Sequence, residues 1–289
     1  MSISIKQLIG QLIIAGFRGK AIKPSSDIVK YIKEYNVGGV ILYDEDLEIG
    51  GSGSRNIESP SQVKMLVDQL QNEGGGKLFI SIDQEGGETH RLKSIYGFEE
   101  TPSWKHIGLL GNELITKEFS KKMAVTLSGL GINLNFAPVL DLDHGEGTVM
   151  SDSKRAFSSN PQTVKENSKI FIKQHRKNNI ITCGKHFPGL GSATGDTHEG
   201  FTDISASWTV KDLLPFDELI TENYLDMVMI SHAFDSKLDP IFPSSLSKII
   251  INEMLRNDLG FNGPIICDDP SMRAISDHYD LHDTFELML

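Results

Sequence analysis

Ile180-Ile181-Thr182-Cys183-Gly184-Lys185-His186-Phe187-Pro188-Gly189 is the stretch on which the fold turns. A β-branched run, the composition of a buried strand, gives way to a loop broken by glycine and proline. Lys185 and His186 stand where the strand runs out. The loop then continues through Leu190-Gly191-Ser192-Ala193-Thr194-Gly195 to a carboxylate and a second imidazole, Asp196 and His198. Core packing has no need of these groups, and loops fixed on a rigid scaffold are where binding and catalytic side chains gather. The expectation is a polar site at a strand end, and with it an enzyme.

Other short, nearly continuous apolar runs read in the same way, as strands buried on both faces: Leu12–Phe17, Gly39–Tyr43, Leu78–Asp83, Asn133–Pro138, Met227–His232 and Pro264–Asp268. Amphipathic segments at 25–36, 60–72, 112–129, 162–178, 209–223, 246–258 and from 280 onward predict helices between them. Ser59-Pro60 and Asn160-Pro161 are good helix starts, and Asp258-Leu259-Gly260 is a helix stop. Such alternation gives parallel βαβ units, which either a doubly wound sheet or a (β/α)8 barrel would satisfy. The polar residues favour the barrel. Asp83, Asp141, Lys185, His186, His232 and Asp268 fall at or just past the C-terminal ends of different strands. A barrel converges those ends on one mouth, whereas an open sheet spreads them along an edge.

The expected fold is therefore an α/β, TIM-type (β/α)8 barrel in which residues 1–289 form one domain. Only seven strands are legible before the final helical segment, so either the count misses a strand or the last βα unit is lacking, and a truncated C-terminus is the expectation. The acidic, then Gly/Ser-rich segment 44–54 is expected to be a mobile, mostly solvated spacer at the barrel mouth.

With 39% hydrophobic and 23% charged residues the chain has the composition of a soluble globular protein. A formal charge of −11 argues against a nucleic-acid partner, which would require a basic face. No stretch reads as a signal peptide or a membrane span. Cys183 and Cys267 stand alone, without the spacing of a disulfide framework or a zinc-thiolate site, so a reducing, cytoplasmic location is expected.

Three further segments carry chemistry. Ile265-Ile266-Cys267-Asp268-Asp269-Pro270 closes a strand on two carboxylates whose side chains point to opposite sides; one can enter the mouth while the other caps the turn. Asp83-Gln84-Glu85-Gly86-Gly87 again sets a carboxylate at a strand end, with Arg91 following, and Arg155 precedes the 162–178 helix. An inward ring of Asp, Arg, Lys and His suits a neutral polyhydroxyl ligand, because charge-assisted hydrogen bonds hold sugar hydroxyls strongly. Hydrolysing a glycoside needs a carboxylate beneath the anomeric carbon and a proton donor beside the leaving oxygen. Asp268 is placed for the first role. His198 can fill the second, with Asp196 turning its imidazole and raising its pKa, while Gly189, Gly191 and Gly195 let the loop swing over the substrate.

The segments Ile-Asp-Gln-Glu-Gly-Gly, Asn-Phe-Ala-Pro-Val-Leu-Asp, Lys-His-Phe-Pro-Gly and Asp-Asp-Pro-Ser-Met, in this order, resemble glycoside hydrolase family 3 over almost the whole chain. In particular they look like its single-domain β-N-acetylhexosaminidases of peptidoglycan recycling. The resemblance implies Asp268 as nucleophile, His198 as acid/base and Asp196 as its partner. It implies Asp83, Arg91, Arg155, Lys185 and His186 as the residues gripping N-acetylglucosamine; neither a cofactor nor a metal is expected. The implied partner is a small carbohydrate or muropeptide substrate. The chain departs from the family pattern at Leu190, where the motif has a histidine, at Thr197 in place of serine, and at Glu88 in place of arginine.

Two other readings stand beside this one. A metal-dependent hydrolase would use His186, Asp196, His198, His232 and Asp268 as ligands, but Lys185 puts a cation beside them and no His-Glu-x-x-His spacing occurs. A degenerate sugar-binding relative without turnover would be consistent with Leu190, Glu88 and the short C-terminus. His232 either lines the pocket or satisfies backbone groups. His90, His106, His144, His175, His278 and His282 read as surface or structural residues.

Overall fold

The computed structural model describes residues 4–46, 49–51 and 53–288. Seven parallel strands form one curled sheet: β1 Ile14–Gly16, β2 Gly39–Leu42, β3 Phe79–Ile82, β6 Leu134–Asn135, β7 Ile181–Phe187, β8 Met227–Ile230 and β9 Ile265–Cys267. A short antiparallel hairpin, β4 Gln84–Gly86 and β5 Thr89–His90, rises between β3 and β6. The seven strands lie in sequence order with no reversal, which excludes a doubly wound sheet and its switch point. The architecture is that of a TIM-type barrel without a final βα unit, with β1 and β9 at the two edges of the sheet.

The helices run α1 Ile5–Gln11, α2 Asp27–Tyr35, α3 Pro60–Glu73, α4 Trp104–Leu110, α5 Glu113–Leu130, α6 Val149–Asp152, α7 Pro161–Arg176, α8 Val210–Thr221, α9 Arg273–Ser276 and α10 Leu281–Met288. The segment expected to be a helix at 246–258 is wound as a π-helix over Ile249–Asp258. No helix among the described residues is long and apolar enough to cross a membrane.

Strand alternation sorts the side chains into two cores. Val40 and Leu42 of β2, Ile80 and Ile82 of β3, and Val228 and Ile230 of β8 face outward, under the helices. Their neighbours in sequence face inward: Met227 and Met229 pack with Leu134, Phe136 and Cys183, flanked by Ile14, Ile41, Ile181 and Ile266. Both faces of each strand are thus buried, which is why these strands read as unbroken apolar runs. The inward register has a direct consequence for the site. It turns Lys185, within β7 (after Ile181 and Cys183), and Asp268, one step past β9 (after Ile266), into the barrel mouth.

The spacer expected at 44–54 differs from its prediction. Leu47, Glu48 and Ser52 lie outside the described residues. Asp44 and Asp46, however, are buried rather than solvated. Asp46 is paired with Arg18 and Asp44 with Lys93, because carboxylates taken out of water need a cation.

Candidate active site

Lys185, fully inside the mouth, donates from Nζ to Asp83 Oδ1 at 2.8 Å and pairs with Glu85 Oε1 at 2.6 Å. Arg155 clamps the same Glu85 through two parallel hydrogen bonds of 2.7 and 2.8 Å. Glu85 has no exposed surface. Burial alone would raise its carboxyl, but the Arg155 and Lys185 charges outweigh burial and hold it far below the carboxylate range. Asp83 follows the same logic: Lys185 and Arg91 overcome burial and keep it ionised. Both cations are in turn held above their ordinary values, Lys185 by Asp83 and Glu85, Arg155 by Glu85, despite burial pulling the other way. Arg91, which follows the β4–β5 hairpin, reaches back to Asp83 Oδ2 at 3.4 Å.

His186 is fixed from both sides. Its Nδ1–H donates to Asp141 Oδ2 at 2.7 Å, while Nε2 accepts from Arg155 Nη2 at 3.2 Å, a pairing that requires the neutral tautomer. Asp141 Oδ1 takes the backbone N–H groups of His186 and Leu190, at 3.2 and 2.7 Å. One buried carboxylate therefore sets both the imidazole and the start of the following loop. The five residues expected to grip a sugar, Asp83, Arg91, Arg155, Lys185 and His186, are brought together as one cluster of ion pairs and hydrogen bonds.

The loop beyond His186 has a packed root and an open tip. Leu190, buried at 5% exposure, joins Val139, Met150, Ala156, Ala193, Ile204 and Trp208 in an apolar cluster above the barrel. Trp208 Nε1–H closes it with a 3.1 Å bond to the carbonyl of Pro188. Of the three loop glycines, Gly189 and Gly191 serve close packing, whereas Gly195 has room around it. A Cβ on Gly191 would lie 2.1 Å from the carbonyl oxygen of Leu142, and one on Gly189 would lie 2.8 Å from Cβ of Asp212. Leu190 likewise fits its surroundings as an apolar side chain. Glu88 projects, exposed, from the turn of the β4–β5 hairpin.

At the tip, His198 Nδ1–H donates to Asp196 Oδ1 at 2.7 Å, and the His198 backbone N–H donates to the same oxygen at 2.9 Å. The bond to His198 holds the Asp196 carboxyl at about 2. The bond to Asp196 raises the His198 imidazole; partial burial opposes this, and the charges of Asp196 and Asp268 reinforce it. His198 Nε2 makes no hydrogen bond among the described residues, and the side chain is 54% exposed. The tip is docked onto the segment that follows Asp268: Ala274 N–H donates to the Thr197 carbonyl at 3.1 Å, and Thr197 Oγ1 meets Met272 Sδ at 3.8 Å.

Asp268 and Asp269 divide their work as the strand register requires. Asp268 is half-buried at the end of β9, its N–H bonded to the Ile230 carbonyl at 3.0 Å. Asp269 faces out and caps the turn, accepting from Ser271 N–H at 2.8 Å and Ser271 Oγ at 2.7 Å. His232 is buried behind them, with Nε2–H donated to the Asp269 carbonyl at 2.9 Å and Nδ1 accepting from Ser245 Oγ at 2.7 Å. Burial lowers its pKa and keeps it neutral. Of the histidines and carboxylates considered as metal ligands, His186 and His232 thus have both ring nitrogens engaged. Among the described residues, three ligand atoms come within 4.8 Å of one another only at exposed Asp280, His282 and Asp283.

Sequence reasoning missed Glu85 and gave Asp141 no role. Glu85 lies two residues beyond Asp83 and could have been suspected from that alternation. A carboxylate, a separate imidazole with a free nitrogen, and a wall of ionised hydrogen-bonding groups make a site able to bind a polyhydroxyl compound and perform nucleophilic and acid–base chemistry on it.

A family model described as the glycosyl hydrolase family 3 N terminal domain matches residues 4–289. A beta-hexosaminidase of Hydrogenovibrio crunogenus is 36% identical over 257 residues, 84% of this chain and 66% of that protein. A beta-hexosaminidase of Tolumonas auensis is 34% identical, over 84% of this chain and 70% of that protein. The chain therefore spans about two thirds of the length of these relatives. Among solved structures, a glycoside hydrolase family 3 beta-N-acetylglucosaminidase from Paenibacillus superposes with a TM-score of 0.89 at 30% identity, over 99% of this chain and 53% of that one. A beta-N-acetylhexosaminidase from Beutenbergia cavernae gives 0.87 at 26%, over 99% and 84%.

Proposed function

The chain belongs to glycosyl hydrolase family 3, and on that premise we propose that it releases terminal, non-reducing β-linked N-acetylglucosamine with retention of configuration. The observation that carries this reading is the docking of the His198 tip on the segment after Asp268, through the Thr197–Ala274 hydrogen bond of 3.1 Å. It ties a carboxylate on the barrel and an imidazole on the loop to one mouth.

In the first step a carboxylate oxygen of Asp268 attacks the anomeric carbon while His198 gives the proton on Nε2 to the departing glycosidic oxygen. The C–O bond breaks, and a glycosyl ester on Asp268 forms. Asp196, held anionic, stabilises the imidazolium that supplies this proton. In the second step His198, now neutral, takes a proton from water, whose oxygen attacks the same carbon and frees Asp268. Asp83, Arg91, Arg155, Lys185 and His186 hold the sugar hydroxyls and acetamide throughout, by charge-assisted hydrogen bonds. We place residues 1–289 in a single catalytic barrel domain, acting on peptidoglycan fragments in the cytoplasm, where the free thiols Cys183 and Cys267 remain reduced.

The protein should hydrolyse a para-nitrophenyl β-N-acetylglucosaminide, and Asp268→Asn should lower kcat by about 10³-fold or more while the fold and sugar affinity persist. Proton NMR of the first product formed should show the β-anomer; the α-anomer appearing first would exclude the glycosyl-ester route. A folded wild type that binds the sugar but turns nothing over would identify a degenerate relative instead.

A further inference from the structure

We infer that Tyr43 is a substrate-contacting residue, which donates its phenolic proton to a hydroxyl group of the sugar held between Asp83 and Asp268. The inference rests on the hydrolase reading above for the identity of the ligand.

Register places the residue. Ile41 of β2 faces inward and pairs with Ser81 of β3, and the last matched pair is Leu42 with Ile82. One step further the same alternation sets Tyr43 beside Asp83, on the inward face, within electrostatic reach of Asp83, Asp269 and Asp268. The backbone is pinned there, and the ring is flanked by cations. Asn56 accepts from the Tyr43 N–H at 3.0 Å and donates its own N–H to the Tyr43 carbonyl at 2.9 Å. The ring lies against two guanidinium groups, Arg55 at 4.8 Å and Arg91 at 5.3 Å. Both are themselves tied down, Arg91 to Asp83 and Arg55 to the Phe17 carbonyl at 3.1 Å.

One group of this side chain is left over. The residue is half-buried, and its hydroxyl makes no hydrogen bond among the described residues. Burial raises the phenol, and the charges of Asp83, Asp269 and Asp268 raise it further, so it keeps its proton and acts as a donor. A sugar hydroxyl complements this setting, because it can accept from Tyr43 while donating to a carboxylate such as Asp83.

Removing a neutral hydrogen bond of this kind should weaken binding about three- to tenfold. Tyr43→Phe, which keeps the ring against its two arginines, should therefore raise KM for the para-nitrophenyl glycoside by about that factor with kcat within about twofold. The affinity of free N-acetylglucosamine for the Asp268→Asn protein, read by calorimetry, should fall by the same factor on adding Tyr43→Phe. Unchanged KM and affinity in an active enzyme would overturn the inference and leave the hydrolase reading standing. A fall in kcat at constant KM would overturn it too, since the phenol would then act on the reacting atoms. Absent hydrolysis with sugar affinity still lowered by Tyr43→Phe would keep the inference and overturn the hydrolase reading. Wild type that neither hydrolyses nor binds the sugar would overturn both.

Discussion

Glu85 neutralises two buried cations at once, and that makes it the most exposed weakness among single side chains. Forming a buried ion pair gains little over apolar packing, but removing one partner strands the other in a medium that cannot solvate it. Glu85→Gln leaves Arg155 with only the His186 ring and Lys185 with only Asp83. A loss of about 3 kcal/mol in unfolding free energy is expected, measured as a lower urea midpoint at unchanged slope. Asp196 makes the opposite kind of case: its pair with His198 is exposed and contributes little to stability, yet it sets a proton affinity. The bond to Asp196 raises the His198 imidazole, so His198 keeps its proton to higher pH than a free histidine. Asp196→Asn should therefore move the alkaline limb of the kcat/KM profile to lower pH and reduce kcat, with stability nearly unchanged. An alkaline limb that stays in place would remove His198 from the proton-donor role.

At the scale of elements, the loop from Pro188 to His198 behaves as an extension of the barrel because its root is apolar. Leu190→Ala should cost about 2–4 kcal/mol through the cavity it leaves among Met150, Ile204 and Trp208, read by thermal unfolding. Leu190→His, which restores the residue of the family motif, should be destabilising in this chain as well, since these apolar neighbours offer an imidazole no side-chain partner. The same packing explains what the sequence could and could not disclose. The strands were legible because burial on both faces leaves a continuous apolar run, as in Met227–Ile230, and because lysine and aspartate mark the ends. The β4–β5 hairpin was not, since Thr89 and His90 carry no periodic pattern and Gln84-Glu85-Gly86 reads as loop. The glycines of the loop were legible as special positions but not as close contacts, because the backbone they touch, at Leu142 and Asp212, is distant in sequence. Glu85 stayed hidden for a similar reason. Its meaning depends on Arg155, which comes from the segment after a different strand.

Across the whole molecule, a buried polar relay joins the helical layer to the mouth. His175 of α7 donates from Nδ1 to the Phe171 carbonyl at 3.0 Å and accepts at Nε2 from Asn135 at 3.2 Å. Asn135 also exchanges hydrogen bonds with the backbone of Gln84, at 3.0 and 3.1 Å, and Gln84 Oε1 receives the N–H groups of Arg91 and Leu92, at 3.1 and 3.0 Å. The position of Arg91 in the proposed sugar site therefore depends on a neutral histidine in the outer layer. Burial lowers His175 from 6.5 to about 4, so between these values the unfolded chain binds a proton that the folded chain refuses. Stability should fall as pH drops through that window, by about 3 kcal/mol in all, given 1.4 kcal/mol per unit. The depressed carboxyls of Asp83, Glu85 and Asp196 act in a lower window, contributing stability above about 4 that is lost with further acidification. His198 has the reverse sign, its contribution being full below 6.5 and lost as pH rises through its raised pKa, but its exposure keeps that small. Urea unfolding from pH 7 to 3 should thus show two successive declines. In His175→Gln, which cannot titrate, the upper one should shrink to the share left by His232 and His90, whose imidazoles burial also lowers, and the lower one should remain. If the upper decline is undiminished in that variant, the neutral His175 does not govern the acid sensitivity of the fold.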